Sequence, residues 1–211
     1  MNFKKAHAYI ESLYEKRKLT QKKYTEVTEL KDFGPVIDDD VARMLQVLIT
    51  LAKPRKVLEI GTSVGFSTAS MAKAVKVYGG KITTIEFDAK VAEQAKKNFE
   101  REMVAGQIEV RIGDACDIIP MLKEDYDLIF QDVGDKELYA ALFDDCVRLL
   151  NPGGLLVAED TLFPITLFPA FKCEKMRETL ANFNKRVADC PLLESTLLPI
   201  GDGFTVAVKR W

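Results

Sequence analysis

Val57-Leu-Glu-Ile-Gly-Thr-Ser-Val-Gly-Phe-Ser67 is the stretch from which the rest of the chain can be read. Val57 to Ile60 is an apolar run of the kind that forms a buried parallel strand. Gly61 ends it, Gly65 follows, and Ser67 to Val77 has the apolar spacing of a helix. Strand, glycine turn and helix bring a backbone close to a ligand at the carboxyl end of a strand. Two glycines alone also fit an ordinary turn. The acidic Glu59 at the strand tip argues against a pyrophosphate, which is held by backbone donors and a helix N-terminus. It suits a ligand with an ammonium or sulfonium group and ribose hydroxyls.

Working outward, strands and helices alternate. Lys81 to Glu86 is a second strand ending in a carboxylate, as expected where ribose hydroxyls are held. Asp88 caps a helix to about Met103. Ile108 to Ile112 is a third strand, followed by Gly113-Asp-Ala115. Tyr126 to Asp132 is a fourth, a helix runs from Lys136 to Leu150, and Asn151-Pro-Gly-Gly154 leads into a fifth strand, Leu155 to Ala158, tipped by Glu159-Asp160. A long helix spans Ala170 to Ala188, and Gly201-Asp-Gly203 turns between two closing strands, Leu193–Pro199 and Phe204–Lys209. The pattern predicts an α/β, doubly wound sheet with helices on both faces. Upstream, residues 2 to about 30 read as a charged amphipathic helix. Asp38-Asp-Asp40 offers an N-cap and acidic first turn to a helix over Val41–Leu51.

Glu59, Glu86, Asp114, Asp132 and Glu159-Asp160 thus fall at or just beyond successive strand ends, where open α/β sheets bind ligands. Each alone reads equally as a helix cap. Together they call for cations: a cofactor's sulfonium and ammonium, a metal, or both. Asp132, Glu159 and Asp160 form an all-oxygen set suited to Mg²⁺, Mn²⁺ or Ca²⁺.

Composition narrows the classes. The 211 residues fit one domain, with 47% hydrophobic and 29% charged residues and a net charge of −2. Nothing in that balance calls for nucleic acid or an anionic membrane, and no apolar run is long enough for a membrane span. The four cysteines are widely spaced, with no Cys-x-x-Cys pair, and read as reduced thiols of a cytoplasmic protein. His7 is the sole histidine, which removes Ser-His-Asp catalysis and His-ligated zinc.

The glycine pattern is Gly-x-x-x-Gly, so the dinucleotide fingerprint is missing and a nicotinamide dehydrogenase is disfavoured. Glu59-Ile-Gly-Thr-Ser-Val-Gly-Phe-Ser67 instead resembles the first motif of the cation-dependent S-adenosylmethionine O-methyltransferases, the catechol and caffeoyl-CoA type. Thr84-Ile-Glu-Phe-Asp88, Gly113-Asp-Ala115, Tyr126 to Asp132, Leu149 to Gly154 and Leu198 to Phe204 resemble further motifs of that family. The resemblance implies a seven-stranded Rossmann-like methyltransferase sheet with the last strand antiparallel. It implies a catalytic core over 36–211 behind a helical cap over 1–35, and a homodimer. The cofactor would be S-adenosylmethionine, held by Ile37, Glu59, Gly61, Thr62, Ser63, Ser67, Glu86, Phe87, Ala115, Asp132 and Tyr139. Asp132, Glu159 and Asp160 would bind the divalent cation, with Lys136 and Asp132 catalytic. The acceptor would be a small aromatic hydroxyl compound, walled by Phe163, Pro164, Phe168 and Phe171.

Two departures from the family pattern stand out. Glu159-Asp160 replaces the usual Asp-Asn, and Lys136 and Tyr139 each lie one residue further from Asp132, which predicts a bulge at Gly134. Two other readings compete with the leading one. Methylation of a hydroxylated tRNA uridine would need basic surface from Lys16–Lys23 and Lys172–Arg186. A cofactor-binding homologue without turnover would follow if the two departures abolished catalysis.

Overall fold

The computed structural model describes residues 3–14, 16, 20–163, 165 and 173–211. Among these, one sheet carries seven strands in the order β3-β2-β1-β4-β5-β7-β6. The strands are β1 (Lys56–Ile60), β2 (Lys81–Glu86), β3 (Ile108–Ile112), β4 (Tyr126–Gln131), β5 (Leu150–Ala158), β6 (Leu193–Leu198) and β7 (Phe204–Lys209). β1 to β5 are mutually parallel, and β7 is inserted antiparallel between β5 and β6.

Period-two alternation divides the core. Val57, Leu128, Phe130 and Val157 face one side, packed by α3 (Asp39–Ala52), α4 (Phe66–Val75) and α5 (Ala89–Arg101). Leu58, Ile60, Ile129 and Leu156 face the other. There they meet α6 (Ala115–Ile118), α7 (Glu137–Ala141), α8 (Phe143–Leu149) and the long α9 (Glu174–Asp189). Central strands buried on both faces explain why β1 and β4 read as nearly continuous apolar runs.

Several boundaries differ from the sequence reading. The N-terminal helix is two, α1 (Phe3–Tyr14) and α2 (Gln21–Glu26), the second started by Thr20, whose hydroxyl accepts from the Lys23 amide. α1 is held to α3 by the Arg43–Glu11 ion pair and by His7 beside Asp40. The single helix expected over Lys136–Leu150 breaks at Leu142 into α7 and α8. β5 begins at Leu150, with Asn151–Gly154 bulged out of the ladder, so that Leu128 pairs with Leu155 while Tyr126 pairs with Leu150. The Asn151 amide donates to Asp127 and holds the bulge in place. α9 begins at Glu174; the expected start at Ala170, and Pro164, Phe168 and Phe171, lie outside the described residues.

Candidate active site

The sheet's connections reverse direction between β1 and β4, and a cleft opens above their carboxyl ends. Its volume is about 1230 Å³. Gly61 makes the cleft floor possible. Its φ is +101°, and a Cβ there would lie 1.9 Å from the Asp132 carbonyl oxygen. Three strand ends are tied at this point: the Gly61 amide donates to Ile85 O of β2, and the Asp132 amide, just beyond β4, donates to Ile60 O of β1.

On the glycine-loop side the cleft is lined by Ile37, Gly61, Thr62, Ser63, Ser67, Glu86, Phe87 and Ala115. Glu86, at the tip of β2, accepts from the Ser63 amide at 2.8 Å through Oε2 and from the Asp88 amide at 3.0 Å through Oε1. It both shapes the loop and presents a carboxylate to the cleft. Asp114 caps α6 by accepting from the Cys116 amide.

Glu59 is not on the cleft wall. Alternation along β1 turns its side chain towards α4, where it is fully buried and accepts from Ser67, Thr68 and Thr84 hydroxyls. Burial pushes its carboxyl up to about 7, against the pull of those three hydroxyls. Ser67 stands between Glu59 and the cleft. Tyr139 also lies behind the wall, fully buried, its hydroxyl donating to Glu159 O at 2.9 Å. Both expected cofactor-binding residues thus lie one side chain behind the cleft surface, bonded to residues that line it.

On the opposite side β4 and β5 bring Asp132, Glu159 and Asp160 together, with ligand oxygens within 4.8 Å of one another. Burial raises the Asp132 and Glu159 carboxyls, with Lys136 pulling Asp132 down and the neighbouring acids pushing Glu159 further up. Lys136 is 5% exposed. Its Nζ donates to Asp160 Oδ2 at 2.6 Å, Val133 O at 2.7 Å and Tyr139 Oη at 3.2 Å, which engages all three ammonium protons. Asp160 has a left-handed φ of +62°, uncommon for a non-glycine residue and held here by that ion pair. The one-residue insertion before Lys136 is absorbed without a left-handed glycine: Gly134 is absent from the positive-φ positions.

Asp38 and Asp202 are among the acidic wall residues of the cleft that were not expected as site residues. Both carboxyls are raised, first by burial and then by neighbouring acids, Asp40 for the one and Asp160 for the other. The signals were the Asp38–Asp40 run and the Gly-Asp-Gly turn, each explicable as local structure.

A match to the family described as O-methyltransferase covers residues 5–210. The chain belongs to the O-methyltransferase family. It is an enzyme of that class, and the family's fold is the one found here. It is 32% identical over 183 residues to a catechol O-methyltransferase of Niastella koreensis, covering 82% of each chain. It is 29% identical over 208 residues to caffeoyl-CoA O-methyltransferase 5 of Nicotiana tabacum, covering 92% of this chain and 86% of the other. The structure of a Bacillus cereus O-methyltransferase in complex with SAH superposes with a TM-score of 0.82 at 25% identity, covering 96% and 97% of the two chains.

Proposed function

We propose that the chain transfers a methyl group from S-adenosylmethionine to a hydroxyl of a small catechol- or phenylpropanoid-like acceptor, with a divalent cation at Asp132, Glu159 and Asp160. The observation that carries this reading is a juxtaposition at the β1–β4 switch: a glycine-lined cleft opens directly onto three converging carboxylates. The catechol and caffeoyl-CoA relatives and the SAH-bound Bacillus neighbour support it.

S-adenosylmethionine supplies a sulfonium-bound methyl open to in-line displacement by an oxygen. A hard divalent ion, Mg²⁺, Mn²⁺ or Ca²⁺, fits the oxygen set and lowers the pKa of a hydroxyl bound to it. The chain's residues bind and align. Glu86 accepts from the ribose hydroxyls, while Gly61, Thr62 and Ser63 offer close backbone approach. Asp132 stands where the cofactor end of the cleft meets the cation site and belongs to both. Lys136 orients Asp160 through their ion pair, and with its donors engaged by Asp160, Val133 and Tyr139 it would act as a positioning group. Phe163 walls the acceptor end, and residues 32–37 cap the cofactor end.

The charge of the cleft favours a small acceptor over tRNA. Lys136 is the one basic side chain among the described lining residues, against Asp38, Asp135 and Asp202 at the acceptor end. Lys175 and Arg186, expected to offer basic surface, are paired with Glu137 and Asp144. A polyanion would be repelled there.

The cation site is tested by melting. Mg²⁺, Mn²⁺ or Ca²⁺ is expected to raise the melting temperature of the wild type, by mass action on the folded state, and much less that of Asp160→Ala. An identical rise in both proteins removes the cation from these residues.

A further inference from the structure

A buried polar chain runs from the N-terminal segment to the underside of the glycine loop, and the proposed reaction does not use it. Tyr24, on α2, is 1% exposed. Its Oη lies 2.9 Å from the carbonyl oxygen of Gly65 and 3.1 Å from that of Val64. Asn98, on α5 and equally enclosed, donates through Nδ2 to the same Val64 oxygen at 2.9 Å and to Thr28 Oγ1 at 3.2 Å. Its own side-chain oxygen accepts from Gln94 Nε2 at 3.2 Å and from Arg101 Nη1 at 2.8 Å. Every donor and acceptor of that amide is used, which fixes its orientation.

The loop is therefore held from below. Gly65, with φ +89°, lies so close to Phe99 that a Cβ would meet the ring at 2.3 Å. The Tyr24 ring packs on Phe66 with centroids 5.3 Å apart, and the Arg101 guanidinium lies over it at 5.1 Å. The upper side of the same loop faces the cleft through Gly61, Thr62, Ser63 and Ser67. A loop whose carbonyls are anchored on one side presents its other side to a ligand in a fixed geometry, which lowers the ordering cost of binding.

We propose that Tyr24 and Asn98 are positioning residues that set the glycine loop for S-adenosylmethionine, so that the N-terminal segment tunes cofactor affinity without touching the cofactor. This rests on the cofactor reading above. The effect falls on affinity more than on folding. Gly65 O also accepts from the Ala69 amide at 2.9 Å, and Val64 O has both Tyr24 and Asn98, so loss of the Tyr24 hydroxyl leaves no buried carbonyl without a partner. It removes one restraint on the loop.

The test compares the wild type with Tyr24→Phe, Asn98→Asp and a control, Tyr126→Phe, buried at the end of β4 remote from the cleft. S-adenosylhomocysteine affinity is measured by titration calorimetry, and hydrogen exchange of the loop amides is followed in the ligand-free proteins. Tyr24→Phe is expected to bind about threefold to tenfold more weakly, as loss of one hydrogen bond allows. Asn98→Asp is expected to bind more weakly still, because it turns an acceptor towards Val64 O. In both, loop amides exchange faster, the KM for the methyl donor rises and the KM for the acceptor is unchanged. Tyr126→Phe behaves as the wild type. Wild-type binding with no loss in the two variants, or an equal loss in the control, overturns the proposal alone. A wild type that does not bind S-adenosylhomocysteine overturns the cofactor reading and the proposal with it.

Discussion

Glu59 shows how a residue type is legible in sequence while the direction of its side chain is not. A carboxylate at a strand tip was evident from the sequence, but strand alternation decides which face it takes, and here it takes the core face under α4. The signal lay in the partners: Ser67, Thr68 and Thr84 are hydroxyls at positions that otherwise read as core. A buried carboxyl pushed up to about 7 from its ordinary 4.5 is a stability term. Folding favours its protonated form, so its contribution is complete below the ordinary value and is lost as pH rises through about 7. Denaturant unfolding of the ligand-free protein is expected to show falling stability between about pH 5 and pH 8, with a shallower fall in Glu59→Gln. Equal slopes in the two proteins contradict a raised Glu59. The glycines separate in the same way. Gly61→Ala meets backbone at a left-handed φ, whereas Gly134 has open space around it and no positive φ. Gly61→Ala is expected to lose well over about 1 kcal/mol of stability, and Gly134→Ala to stay within about 0.5 kcal/mol. Similar losses at both would contradict this difference between the two glycines.

At the scale of elements, the central strands were legible because burial on both faces leaves an unbroken apolar run, and because each ends at a glycine or an acid. Helix ends were less legible, because capping depends on where a side chain points. Asp88 and Asp38 look alike in the sequence. Asp88 Oδ1 accepts from the Lys90 amide at 2.7 Å and the Val91 amide at 3.2 Å, while Asp38 makes no cap hydrogen bond and carries a carboxyl raised by burial and by Asp40. Asp88→Ala is expected to cost about 1 kcal/mol. Asp38→Ala is expected to cost less or to stabilise, since it relieves repulsion in the cleft. Denaturant midpoints of the two variants decide it; a larger loss in Asp38→Ala contradicts the assignment. The split of the N-terminal helix was hidden for a related reason: Thr20 is a single capping residue within a run of charges that continues the helical pattern on both sides.

For the whole molecule, sheet order and cleft position followed from strand–helix alternation and the family motifs, because topology fixes which strand ends share an edge. The convergence of Asp132, Glu159 and Asp160 was legible for that reason. What escaped the sequence were long-range side-chain contacts: Lys136 locked to Asp160, Asp202 arriving from the closing hairpin beside Asp38, and Tyr24 beneath Gly65. No local pattern encodes these pairings. They nonetheless set the site's charge, which leaves the acceptor end acidic. The central claim is cation-assisted methyl transfer from S-adenosylmethionine to a small aromatic hydroxyl. Its most direct measurement is the transfer of isotopically labelled methyl from S-adenosylmethionine to catechol in Mg²⁺, with and without a chelator. The account predicts labelled mono-O-methylated catechol that disappears on chelation and returns with added metal. Equal product in the presence of chelator would contradict the cation's role, and no labelled product from catechol or from caffeoyl-CoA would contradict the proposed function itself.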